Sequence, residues 1–204
     1  MAESLRVDLF AEDKAHEALL EPLIRRVARD SDLESIVSLR SPLGGYGRML
    51  SELYAFQKAV RSGQPGLQVP DILVIGRDTN CEAFTRAHQT VSNHIDQEVF
   101  PGFAIACPEP HIERWFLADP VSFQEVVGAD PRPGRRKCQR DLYKERLSDA
   151  IRRGGNPATL GGIEFAKDLV NAMDLYRAAR AEPSLRHFIN ELRQAFALLS
   201  SEEG

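Results

Sequence analysis

The sequence predicts an α/β protein: a sheet of about four mainly parallel strands flanked by helices, followed by a helical C-terminal subdomain. Three observations lead to that expectation. The runs Ile72–Ile75 and Phe103–Ala106 are apolar without alternation, as in strands covered on both faces. Strand-like runs alternate with segments of helical periodicity up to about residue 119, the pattern of parallel crossover units. Beyond Asp119 the apolar residues recur only at helical spacing. The boundary is therefore placed between an α/β domain at residues 1–119 and a mostly helical subdomain at residues 120–204.

Taken in order, Leu5, Val7 and Leu9 open a first strand that Phe10 and Ala11 continue and Glu12-Asp13 ends. Asp13 is placed to cap a helix whose inner face carries Leu19, Leu20, Leu23, Ile24 and Val27. Pro22 falls inside that pattern and predicts a kink or a later helix start. Ile36, Val37 and Leu39 form a second strand. Pro42-Leu43-Gly44-Gly45-Tyr46-Gly47 is expected to be a flexible loop before a helix bearing Met49, Leu50, Leu53, Tyr54 and Val60. The third strand, Asp71–Ile75, leads to a helix from about Cys81 to His94 with Phe84, Ala87 and Val91 inward. Phe103–Ala106 is the fourth strand. Prolines 120, 131 and 133 then suggest a linker. Three helices follow, marked by Leu142, Leu147 and Ile151, by Ile163 through Tyr176, and by Leu185 through Leu199 after Pro183-Ser184.

Composition narrows the class. The chain has 204 residues, with 43% hydrophobic and 27% charged, as in ordinary globular domains. No apolar run approaches a membrane span, and the polar Met1-Ala2-Glu3-Ser4 does not resemble a signal peptide, so no membrane association is expected. Three widely spaced cysteines, Cys81, Cys107 and Cys138, argue against a disulfide framework or structural zinc and fit a cytoplasmic location. The net charge is −4, yet residues 132–153 hold nine basic and three acidic residues. That segment is +6 and leaves −10 for the rest, an asymmetry suited to an acidic metal site beside a phosphate-gripping stretch. The plainer account is a solvated helix face.

Three acidic clusters fall at predicted strand ends: Glu12-Asp13, Asp78 with Asn80, and Glu109 through Glu113. In a parallel sheet the carboxyl ends share one edge, where ligands bind. Converging carboxylates repel unless a cation or protons compensate, and Asp78 and Asn80 offer the hard oxygen ligands that Mg²⁺ prefers. Each also has an ordinary explanation: Glu12 near a helix start, Asp78 in an Asx turn, Asn80 as an N-cap, Glu113 in a salt bridge. His111 lies among the acids, but a lone histidine more often packs or makes a surface hydrogen bond, and His16 and His88 carry even less signal.

Val7–Asp13, Asp71–Asn80 and Pro108–Asp119 resemble the blocks of the topoisomerase-primase (TOPRIM) fold. The stretches Glu12–Glu17, Gly44–Gly47 and Glu113–Asp119 are similar to those of a little-characterised bacterial TOPRIM-like family. Its members accompany ABC-type ATPases and are similar to the nuclease half of the overcoming-lysogenization-defect enzymes. The resemblance covers residues 5–119, with weaker likeness at Tyr143-Lys144 and Pro183-Ser184. It implies Mg²⁺- or Mn²⁺-dependent phosphodiester hydrolysis of DNA or RNA in bacterial defence, beside a partner ATPase. Glu12 and Asp78 would be catalytic, and Glu12, Asp78, Asn80 and Glu113 would hold the metal. Asn80 stands where a second acid belongs, so Glu82, Glu109 or Glu113 would have to supply the missing charge. Lys144 resembles a phosphate-steadying lysine, and Arg135, Arg136, Lys137 and Arg140 would contact the nucleic-acid backbone. The alternative that Asn80 favours is a catalytically degenerate module that binds an ATPase or nucleic acid. A third reading, nucleotide hydrolysis, gains if the glycine loop and the acids enclose one deep pocket.

Overall fold

A computed structural model describes residues 4–40 and 44–202, so Pro42 and Leu43 of the glycine loop lie outside the described residues. The chain runs β1 (Leu5–Ala11), α1 (Lys14–Arg29), β2 (Ser35–Leu39), α2 (Gly45–Arg61), β3 (Ile72–Gly76), α3 (Phe84–Ser92) and β4 (Phe103–Ala106). The remainder is helical: α4 (Glu113–Phe116), α5 (Pro120–Val127), α6 (Leu142–Arg153), a 3-10 turn (Ile163–Phe165), α7 (Ala166–Ala172), α8 (Leu175–Ala181) and α9 (Pro183–Glu202). The sheet order is β2-β1-β3-β4 and all three pairings are parallel. The fold is thus α/β, a four-stranded parallel sheet flanked by helices, followed by a helical C-terminal part.

Alternation along the strands builds two cores. Val7, Leu9, Ala11, Ile72, Val74, Ala104 and Ala106 face α1 and the C-terminal helices. Phe10, Leu73, Ile75, Ile105 and Cys107 face α2 and α3. The unbroken apolar runs follow from this coverage, because both sets of alternate side chains leave water. On the first face, one apolar cluster holds sheet residues together with Leu147, Val170, Phe188 and Phe196. Trp115, fully buried, stacks on Phe188 with ring centres 5.7 Å apart and donates from Nε1 to Ser184 Oγ at 3.1 Å. No helix among the described residues is long and apolar enough to cross a membrane.

Several local expectations need correction. Helix α1 starts at Lys14 and continues through Pro22, because its inner face (Leu19, Leu20, Leu23, Ile24, Val27) is wholly buried and that packing outweighs one missing N–H donor. The glycines at 45 and 47 belong to the first turn of α2 rather than to a loop. Helix α3 begins at Phe84, not Cys81, since Asn80 and Cys81 have φ of 47° and 74°, which no right-handed helix accepts. The expected linker after Asp119 contains α5, with Pro120 in its first turn where a missing N–H costs nothing. The single helix expected over Ile163–Tyr176 is broken by extended backbone at Met173. Tyr54 and Tyr176 are exposed rather than inward. Cys81 and Cys138 form a disulfide with Cα atoms 5.4 Å apart, contrary to the expectation drawn from their spacing.

Candidate functional site

The order β2-β1-β3-β4 sends the connections after β1 and β3 to opposite faces of the sheet, which opens a crevice beyond their carboxyl ends. Glu12 and Asp13 leave β1 there, and Arg77 and Asp78 leave β3. The loop after β4 is tied to the loop after β3: Thr79 N–H donates to Pro108 O at 3.1 Å and Asn80 N–H to Pro110 O at 3.2 Å. Those bonds bring His111, Ile112 and Glu113 beside Asp78. The third element is α6, whose Tyr143 and Lys144 face the same place. Glu12, Asp13, Asp78, Asn80, His111, Glu113, Arg140 and Lys144 line one cavity of about 180 Å³. A neighbouring cavity of about 510 Å³ shares Glu12, Asp13, Glu113 and Lys144 and adds Gly44, Gly45 and Leu160. The predicted glycine loop and the strand-end acids therefore border one recess.

At its floor lies a chain of alternating carboxylates and imidazoles. Asp13 Oδ1 caps α1, accepting from the Ala15 and His16 amides at 3.0 and 3.1 Å, and also contacts His16 Nδ1 at 2.8 Å. His16 Nε2 lies 3.2 Å from Asp78 Oδ1, an ion-pair contact rather than an aligned hydrogen bond. Asp78 Oδ1 also accepts from Ile112 N–H at 2.8 Å, and its Oδ2 meets His111 Nδ1 at 2.9 Å. The Asp78 amide in turn donates to Glu12 Oε2 at 3.0 Å. Gly76 makes room for the buried histidine: a Cβ there would fall 2.6 Å from Leu20 Cδ1 and 3.3 Å from His16 Cδ2.

Charge is balanced unevenly across the site. Burial alone would lower the His16 pKa, but Asp78 and Asp13 raise it to about 10, so the ring is an imidazolium at neutral pH. Against its own burial, Asp78 is held below the usual carboxylate range by His16 and His111, and Asp13 is likewise held well below it by His16. The hydrogen bond to Asp78 raises the His111 pKa. Glu12 and Glu113 go the other way. Burial raises both, and the neighbouring Asp78 charge adds to the effect. Glu113 is 2% exposed and its Oε2 has no hydrogen-bond partner among the described residues. Two raised carboxylates, one with an orphaned oxygen, are the donor set that a hard divalent cation satisfies. Glu12 and Glu113 thus fit a metal better than Asp78, whose oxygens already serve His16, His111 and Ile112.

The other predicted residues separate. Glu82 is paired with Arg77 and Arg86, and Glu109 with Arg136, so neither is free to replace the missing acid at Asn80. Asn80 is exposed at the rim. Arg140 and Lys144 line the recess, whereas Arg136 bridges Glu109 and Glu182 at 3.0 and 3.2 Å. Arg135 and Lys137 are exposed beside Tyr143, whose hydroxyl accepts from the Lys137 amide at 2.8 Å. Sequence reasoning set aside His16. Its one legible signal was Asp13-x-x-His16, a spacing that puts a cap and an imidazole on the same first turn. It also set aside His88, which stands with His187 and Glu191 in a cluster where the ligand atoms all lie within 4.8 Å of one another.

Comparison with protein-family models, curated proteins and solved structures finds no match to this chain. The architecture, a small α/β sheet domain of four parallel strands, is compatible with the TOPRIM fold.

Proposed function

We propose that the protein is a divalent-metal-dependent phosphodiesterase of TOPRIM nuclease type, acting on DNA or RNA in bacterial defence beside a partner ABC-type ATPase. The observation that carries this reading is the meeting of Glu12, Asp78 and Glu113 at the β1/β3 crevice, opposite the cations Arg140 and Lys144. Glu12 and Glu113 would hold Mg²⁺ or Mn²⁺, with the Asn80 carbonyl as a neutral further ligand. The bound ion supplies Lewis-acid stabilisation of a phosphoryl oxygen and a more acidic water. Asp78 keeps His111 oriented, and Lys144 and Arg140 neutralise phosphate charge.

The test is calorimetry with Mn²⁺ and cleavage assays on DNA and RNA, using the full chain and its Glu12→Gln, Asp78→Ala and Glu113→Gln variants. Saturable Mn²⁺ binding, weakened about tenfold or more by Glu113→Gln, is expected. Cleavage should vanish in Glu12→Gln and Asp78→Ala while nucleic-acid binding survives. If wild type neither binds Mn²⁺ beside a non-hydrolysable oligonucleotide nor cleaves any substrate, the enzymatic reading is wrong.

A second reading is a degenerate TOPRIM-like module that binds an ATPase or nucleic acid. Asn80, together with the capture of both Asp78 oxygens, favours it. Nucleic-acid binding without cleavage at every Mn²⁺ concentration would select it. The larger cavity of about 510 Å³ also admits a mononucleotide, so nucleotides belong in the substrate panel.

A further inference from the structure

On the far side of the sheet from β2, strand β4 is an edge whose outward N–H groups have no partner strand among the described residues. Helix α9 covers it, and Glu191 Oε2 accepts the Ile105 N–H at 2.9 Å. That bond holds the carboxylate in place. Its other oxygen, Oε1, meets two imidazoles: His88 Nε2 on α3 at 2.8 Å and His187 Nε2 on α9 at 3.3 Å. His187 and Glu191 are four residues apart and share one helix face. The two rings stand edge to face, 4.9 Å between centres, and Phe84 packs against both at 5.7 and 5.1 Å.

Around a divalent ion with ligand bonds of roughly 2.0–2.1 Å, neighbouring ligand atoms lie about 3.0–3.4 Å apart. The two carboxylate–imidazole separations are close to that spacing, and the set of two imidazoles and one carboxylate is one that zinc takes. We infer that His88, His187 and Glu191 form a zinc-class cation site that fastens α3 to α9 at the β4 edge. The Ile105 amide orients the carboxylate ligand, as a partner behind the ligands of a metal site does. His187 also borders a cavity of about 270 Å³ with Arg186 and Asn190. Imidazole-rich ligation selects zinc, cobalt or nickel over magnesium, whereas the all-oxygen donors at Glu12 and Glu113 do the reverse. The proposal is therefore independent of the strand-end reading.

The test uses the untagged full chain after chelator treatment. Co²⁺ is followed by its visible absorption, Zn²⁺ by calorimetry, and stability by thermal melts with and without Zn²⁺. Wild type is expected to bind one ion per chain and to melt higher with Zn²⁺. His187→Ala changes a half-exposed side chain and leaves the Glu191–Ile105 bond in place, so the variant should fold. It should lose about 100-fold in affinity together with the thermal shift. His88→Ala should do the same, and His94→Ala, which changes an exposed histidine outside the cluster, should bind Zn²⁺ like wild type. Absence of Co²⁺ and Zn²⁺ binding in wild type overturns the site. So does undiminished binding in both histidine variants.

Discussion

Asp78 and His16 face each other across the floor of the crevice, with the carboxylate oxygen 3.2 Å from an imidazole that has no solvent exposure. The pair ties the end of β3 to the first turn of α1. It also explains why a buried carboxylate at the sheet edge stays ionised: its counter-charge comes from within the fold.

Stability should therefore fall on the alkaline side. His16 has an ordinary pKa of 6.5 and a folded value of about 10. Its contribution is complete below pH 6.5 and is lost as pH rises toward 10. The lowered Asp13 and Asp78 act oppositely, contributing above their ordinary 3.8 and losing that contribution as pH falls below it. Glu12 and Glu113, raised by burial, lose their contribution as pH climbs above their ordinary 4.5, so thermal melts across pH should be highest between about 4 and 4.5 and decline on the alkaline side. His16→Gln should flatten the alkaline decline and cost roughly 3–5 kcal/mol near neutrality, because the buried Asp78 carboxylate loses its partner. An unchanged alkaline decline in that variant would show that His16 is not its source.

The basic segment should divide into holding and binding residues. Arg136 joins Glu109 to the buried Glu182, so Arg136→Ala should cost about 1 kcal/mol of stability, read from urea midpoints. Lys144→Ala should leave stability within about 0.5 kcal/mol of wild type. If Lys144 contacts phosphate, its removal should reduce the salt slope of nucleic-acid affinity by about 1. Equal slopes would exclude that contact.

Asn80→Asp should improve metal binding. Its φ of 47° is one that Asp tolerates nearly as well as Asn, and the residue is exposed, so the fold should accept the change. Adding a carboxylate at the rim should raise Mn²⁺ affinity about tenfold in calorimetry. A variant that binds no better would mean that position 80 does not reach the cation.

Reduction should loosen the link between the Asn80 loop and the basic segment. The Cys81–Cys138 bond closes a separation of 57 residues. Chain entropy puts its contribution at about 4 kcal/mol. Cys138→Ser, or wild type with a reductant, should unfold at correspondingly lower urea. No change on reduction would show that the bond contributes nothing in solution.

Strand identity and the location of the crevice were legible in the sequence. Runs such as Ile72–Ile75 carry apolar residues at every position because helices cover both faces, and residues that end parallel strands must emerge along one edge. That reasoning reached Glu12, Asp78 and Glu113 without coordinates. Their division of labour was not legible. Whether Asp78 is free for a cation depends on His16 and His111, from two other segments, and a one-dimensional pattern reports a side chain's chemistry but not its neighbours. The same holds for Cys81 with Cys138 and for His88 with His187 and Glu191, pairs separated by 57 and about 100 residues. It also holds for Arg136, indistinguishable from Lys137 in a charge run until Glu109 and Glu182 are seen around it. Local periodicity is set by which face of an element is buried, so the sequence by itself determined the elements and the edge where they end. Contacts between elements depend on how the sheet order and the helical tail pack together, and only the tertiary structure decided which charges are paired and which remain free to bind.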